Sequence, residues 1–257
     1  MLVDTHTHLF TEEFDEDRAA VIKRAQDLGV GKFLLPNIDL TSLDSLYQTQ
    51  KDFPACEIML GMHPCSVNEN WEEELQKIRA EIQKHNPVAI GEIGIDLYWD
   101  KTFVFEQKMA FEQQIIWAKE FQLPIAIHVR DAFDEVFEVL DRQNDADLTG
   151  VFHCFTGDVA QAEKALSYDG FYLGIGGVVT FKNAGLDKTL KERVPLNRLV
   201  LETDSPYLAP TPHRGKRNES SYVVGICEKV SDIYEVSEQE VARITTENAK
   251  KLFPKAF

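Results

Sequence analysis

Short apolar runs alternate with helical patterns along the whole chain, and this alternation restricts the fold more than any other feature. The runs are LV near the start, FLLPN at 33–37, EIMLG at 57–61, VAIGEIG at 88–94, PIAIHV at 124–129, GVFHCF at 150–155, FYLGIGG at 171–177 and LVLET at 199–203. They are short and rich in β-branched or aromatic residues, which reads as strands buried on both faces. Between them, Trp71, Leu75, Ile78 and Ile82 form one stripe at helical spacing. Phe133, Val136, Phe137 and Leu140 form another. The pattern also predicts helices over 12–28, 41–52, 104–121 and 158–168, with two more closing the chain at 219–234 and 237–252. Eight strand-helix units in 257 residues predict an α/β fold, a (β/α)8 TIM barrel, as a single domain over residues 1–257. A doubly wound sheet competes, but no GxGxxG opens a helix, and GIGG at 174–177 has the wrong spacing.

A barrel of this kind carries its chemistry at the C-terminal ends of its strands. His6 and His8 follow the first run at a spacing of two, which on a strand points both rings to one side. Glu92 lies inside VAIGEIG, where a carboxylate costs several kcal/mol unless it is paired or heavily hydrogen-bonded. His128 ends the fifth run, His153 the sixth, and Asp204 follows the eighth. Each has an ordinary alternative: a core histidine with its hydrogen bonds satisfied, or an aspartate capping the TDSP turn. All of those alternatives would have to hold at once, at strand ends that one barrel brings to a common mouth. Four imidazoles and two carboxylates exceed the needs of one four-coordinate ion and suit two ions sharing a carboxylate. His6 and His8 are assigned to one ion and His128 and His153 to the other. Glu92 bridges them, and Asp204 ligates and orients the attacking water. Imidazole favours zinc, while magnesium or manganese would suit the carboxylates and a phosphate substrate.

Bulk properties narrow the setting. No apolar run approaches the roughly 20 residues of a membrane span, and no secretory signal is visible. Cys56, Cys65, Cys154 and Cys227 show no CxxC spacing, so a cytoplasmic protein is expected, working as a monomer. A net charge of −16 argues against broad electrostatic binding of nucleic acid. It leaves room for an anionic substrate held by metal ions, which supply positive charge locally.

The motifs DTHTHL, GMHP at 61–64, GEIGID at 91–96, IHVRDA at 127–132, HCFTG at 153–157, GGVVTFKNA at 176–184, ETDSPYLAP at 202–210 and RGKRNE at 214–219 span nearly the whole chain. In them the chain resembles the TatD family of metal-dependent deoxyribonucleases, within the amidohydrolase-like barrel group. The resemblance implies a binuclear site on His6, His8, Glu92, His128, His153 and Asp204. It also implies hydrolysis of DNA phosphodiesters, often from the 3′ end, on single-stranded or frayed ends. GMHP, HVRDA and HCFTG differ from the commoner GIHP, HSRDA and HCFSG at single non-ligand positions, and Ser220 and Ser221 stand where a proline is usual. These departures bear on substrate preference rather than on the metal site.

Further residues carry narrower expectations. His63 is a candidate catalytic residue, contacting phosphate or protonating the leaving oxygen; otherwise it only shapes the His-Pro turn. Arg130 is expected to bind phosphate, or else to pair with Glu92 or Asp131. Asp96 is expected to fix the tautomer of an imidazole ligand. His213, Arg214, Lys216 and Arg217 form a dense basic patch on the active face, read as phosphate contacts. Tyr98, Trp99 and Phe181 could stack on bases or belong to the core. His85 falls on the opposite rim and is assigned nothing. The same metal site acting on a carboxylic ester, lactone or aminoacyl-tRNA is the alternative enzyme. A non-catalytic barrel would show a missing ligand, and all six are present.

Overall fold

The computed structural model describes residues 1–257. Its eight strands are β1 (Leu2–Asp4), β2 (Val30–Pro36), β3 (Cys56–Leu60), β4 (Ala89–Asp96), β5 (Ile125–Arg130), β6 (Gly150–Phe152), β7 (Phe171–Ile175) and β8 (Leu199–Leu201). All neighbours pair in parallel, in sequence order. The circle closes just beyond the strand ends. Thr5 N–H donates to Leu201 O, Asp204 N–H to His6 O and His8 N–H to Ser205 O at 2.8–3.0 Å. The helices are α1 (Arg18–Asp27), α2 (Leu43–Asp52), α3 (Trp71–His85), α4 (Val104–Phe121), α5 (Phe133–Gln143), α6 (Val159–Ser167), α7 (Leu186–Arg193), α8 (Val223–Tyr234) and α9 (Glu238–Leu252). The chain is a (β/α)8 barrel, and none of its helices is long and apolar enough to cross a membrane.

Strand alternation sorts the core into two layers. Phe33, Leu35, Ile58, Leu60, Ile125, Ile127, Leu199 and Leu201 face the helices. Val3, Leu34, Met59, Ala126, Val151 and Val200 face the barrel axis, together with Leu252 and Phe253 from the end of α9. Asn248 of α9 donates to Leu199 O, and Thr246 to Met1 O, so α9 seals the end where the strands begin. The functional mouth is therefore the other end.

Three expectations are corrected. β1 stops at Asp4, so His6 and His8 lie in the loop beyond it, held by the cross-links to Asp204 and Ser205 rather than by strand pleating. The helix expected over 12–28 begins only at Arg18. The Arg18 guanidinium donates to Leu9 O, Phe10 O and Thr11 O and holds the preceding segment as a loop, with one 3-10 turn at Glu12–Phe14. α7 is an eight-residue helix that periodicity did not reveal, because LDKTLKER offers only Leu186 and Leu190 as an apolar pair.

Candidate metal centre

Glu92 organises the mouth. Ile90 pairs with Ile125 and Ile93 with Ile127, so three steps along β4 match two along β5. The extra residue is a bulge, and it turns Glu92 inward; strict alternation from Ile90 would have sent it out among the isoleucines. Its carboxylate is almost completely buried.

The two oxygens of Glu92 face different histidines. Oε2 lies 3.2 Å from His6 Nε2 and 3.6 Å from His8 Nε2. Oε1 lies 2.7 Å from His128 Nδ1, 2.9 Å from His153 Nε2 and 3.4 Å from His63 Nε2. Asp204 joins the Oε2 side, with Oδ1 3.8 Å from His6 Nε2 and 3.5 Å from His8 Nε2. Asp204 takes a left-handed φ of 58°, a strained conformation of the kind that clusters at functional sites.

Electrostatics follow from this packing. Burial alone would push the Glu92 carboxyl up. His153, His63 and His6, with the hydrogen bond from His128, outweigh it and hold Glu92 well below the usual carboxylate range. Burial works against protonation of His153, yet Glu92 and Glu202 beside it raise its pKa well above an ordinary histidine. His6 goes the other way, lowered by burial and by His153, whose ring stacks on it at 3.7 Å.

The donor set fits divalent cations. Donors around a tetrahedral zinc with bonds of about 2.0–2.1 Å stand about 3.4 Å apart. The four distances from His6 and His8 Nε2 to Glu92 Oε2 and Asp204 Oδ1, 3.2–3.8 Å, have that spacing, whereas His128 and His153 approach Glu92 Oε1 at hydrogen-bond length, 2.7 and 2.9 Å. The Nδ1 atoms of His6 and His8 and Oε2 of Glu202 are buried without a hydrogen-bond partner, and His153 Nδ1 has only the longer contact to Glu202 Oε1 at 3.4 Å. Three candidate groupings emerge: His6, His8 and Glu92; His63, Glu92 and His128; and His6, His153 and Glu202.

Glu202 was missed by sequence reasoning. Its Oε1 lies 3.4 Å from His153 Nδ1 and also accepts from Cys154 N–H. A Cβ on Gly174 would sit 2.2 Å from Glu202 Oε2, so glycine on β7 is what admits this carboxylate. That glycine, in a strand otherwise apolar, was the available signal.

The remaining expected residues are placed as follows. His63 caps a 3-10 turn at Pro64–Ser66, and its Nδ1 accepts from Cys65 N–H at 3.0 Å. The neutral ring therefore carries its proton on Nε2, facing Glu92. Asp96 Oδ2 lies 2.9 Å from His128 Nε2, while its Oδ1 accepts from the Tyr98 and Trp99 amides. Arg130 pairs with neither Glu92 nor Asp131; its guanidinium lies over Tyr98 at 3.9 Å and near Trp99 at 5.3 Å. Arg214 lies over Phe181 at 4.4 Å, His213 stacks on Tyr222, and Lys216 is exposed. Arg217 departs from its expected phosphate role. It is already bound to both oxygens of Asp17 at 2.8 Å and to Glu13 O, because the loop folds back onto the start of α1. His85 sits away from the mouth, stacked on Tyr47.

Residues 3–254 match the family model described as TatD related DNase. The chain is 40% identical over 253 residues to an uncharacterized metal-dependent hydrolase of Bacillus subtilis, YabD, covering 98% of this chain and 99% of that protein. It is 32% identical over 259 residues to the 3′-5′ ssDNA/RNA exonuclease TatD of Cronobacter turicensis, covering 99% and 98%. Among solved structures it is similar to YJJV, a TatD homolog from Escherichia coli, with a TM-score of 0.89 and 27% identity over 98% of each chain.

Proposed function

Since the chain belongs to the TatD family of metal-dependent hydrolases, we propose that it hydrolyses DNA phosphodiester bonds as a 3′-5′ exonuclease acting on single-stranded or frayed ends. The observation that carries a two-ion reading is the division of Glu92, with Oε2 toward His6 and His8 and Oε1 toward His128 and His153. In this reading His6, His8, Glu92 and Asp204 would hold one divalent cation, and Glu92, His128 and His153 a second; zinc, magnesium or manganese held there would supply Lewis-acid activation of water and screening of the phosphate charge.

The protein's own groups do the rest. Asp204 orients the attacking water and accepts its proton. Glu92 keeps the histidines turned to one centre. The Nε2–H of His63 is a donor aimed into the mouth, suited to the leaving oxygen. Glu202 beside His153 Nδ1 favours the tautomer that leaves Nε2 free to coordinate. Arg214 and Lys216 supply positive charge at an otherwise acidic surface. The four cysteines are free thiols, which suits a monomer working in the reducing cytoplasm.

A nuclease assay on end-labelled single-stranded DNA, with magnesium, manganese and zinc in turn, tests this. The expected result is stepwise shortening from the 3′ end, abolished by chelation. No cleavage with any of the three metals, together with turnover of a lactone or a charged tRNA, would move the same centre to carbonyl esters.

A further inference from the structure

A cavity of about 610 Å³ opens where β4, β5 and β6 end, lined by Arg130 two residues beyond His128 and by Tyr98 two beyond Asp96. Tyr98 and Arg130 form one side; Asp131, Asp134, Thr156 and Gln161 contribute to the rest. The volume falls within the roughly 300–1,000 Å³ typical of small-molecule sites. From this cavity we infer a subsite for one unstacked nucleotide at the end of the strand. The inference rests on the nuclease reading and adds to it the place where a terminal base is held.

Three observations carry it. Tyr98 and Trp99 are 53% and 69% exposed, packed edge to face at 4.9 Å. Large rings left in water beside a cavity are what base stacking uses, and such stacking is tolerant of base identity. Arg130 is exposed, with its guanidinium carbon 3.9 Å from the Tyr98 ring centroid, and its N–H groups can serve a phosphate beside the aromatic pair. Three carboxylates, Asp131, Asp134 and Glu135, line the cavity against the one cation of Arg130; they disfavour additional phosphates and can accept hydrogen bonds from a base edge.

The cavity is also tied to the reacting centre. Asp96 holds the Tyr98 and Trp99 amides with one oxygen and His128 with the other. A base on this platform is thereby registered against the histidine next to which the bond would break.

Mononucleotide binding tests the subsite independently of cleavage, because neither probe contains a phosphodiester. The metal-loaded protein is titrated with dAMP and with deoxyribose 5-phosphate, which lacks the base, by calorimetry. dAMP should bind roughly tenfold more tightly. The Tyr98→Ala/Trp99→Ala double variant should lose that difference and keep its affinity for deoxyribose 5-phosphate. Arg130→Gln should weaken both probes alike, as expected of a phosphate contact. Equal affinity of the wild type for the two probes, or a difference that survives in the double variant, would overturn the subsite. A protein that cleaves no DNA yet shows the base-dependent difference would refute the nuclease reading and leave the nucleotide subsite standing.

Discussion

Asp96 Oδ2 stands 2.9 Å from His128 Nε2, the ring nitrogen turned away from Glu92. With Nε2 donating to this carboxylate, Nδ1 is the atom left to face the centre. Burial raises the Asp96 carboxyl, but the bond from His128 and those from the Tyr98 and Trp99 amides bring it down to about 2. It therefore stays anionic wherever the enzyme works. Asp96→Ala should lower metal affinity and kcat by about 10–100-fold, the range seen when a partner behind a ligating histidine is removed. Asp96→Asn, which can still accept from the amides, should fall between the two. Metal titration alongside steady-state kinetics checks this; unchanged metal affinity in Asp96→Ala would contradict it.

Parts of this centre were legible in the sequence because they depend on local order. Apolar runs ending in His128 and His153 announce both the strands and what stands at their ends. Glu92 drew notice because a lone acid in an apolar run needs a partner. Other parts depend on contacts remote in sequence. The inward turn of Glu92 comes from a one-residue mismatch between β4 and β5. Glu202 reads as an ordinary strand residue until Gly174 on β7 makes room for it. Arg217 looks like its basic neighbours until the loop lays it on Asp17, 200 positions earlier. The brevity of β1 and α7 escaped because three and eight residues are too few for a clear period.

The basic loop should separate into two functions under mutation. Arg214 and Lys216 are exposed, whereas Arg217 is held by Asp17. Arg214→Ala and Lys216→Ala should each weaken single-stranded DNA binding and reduce the slope of log K against log salt by roughly 0.7. Arg217→Ala should change that slope little and lower the melting temperature instead. Fluorescence anisotropy across a salt series, with calorimetry on the same variants, distinguishes the two outcomes.

A second anchor of that loop gives the acid stability a definite sign. Arg24 of α1 donates to both oxygens of Glu219, at 3.1 Å and 2.6 Å. Burial pushes the Glu219 carboxyl up, but Arg24, Ser221 and Arg217 outweigh it and leave it below its ordinary value of 4.5. Between the folded and unfolded pKa the unfolded chain binds more protons, so stability rises with pH there. The contribution is complete above about pH 4.5 and is lost as pH falls through the folded value. Arg24→Ala should cost about 1 kcal/mol at neutral pH, because the Arg24 side chain is 47% exposed and solvent screens the pair. The gap in melting temperature between wild type and Arg24→Ala should narrow as the pH is taken below 4.5, and a gap independent of pH would rule out the ion pair as its source.

Glu92 is the residue whose loss should separate folding from function most cleanly. It contributes no apolar packing, and its five imidazole neighbours hold it as an anion. Glu92→Gln keeps the volume and removes the charge; Glu92→Ala removes both. Both variants should retain the barrel by circular dichroism. Both should lose bound metal, and activity should fall by more than the roughly 100-fold that a residue behind the ligands can account for. Metal that binds only the folded state stabilises it by about 2.7 kcal/mol at a free concentration 100 times Kd. Chelation should therefore lower the melting temperature of the wild type and leave that of Glu92→Gln nearly unmoved. A Glu92→Ala protein that keeps a full complement of metal and cleaves at the wild-type rate would show that this carboxylate holds nothing the reaction needs.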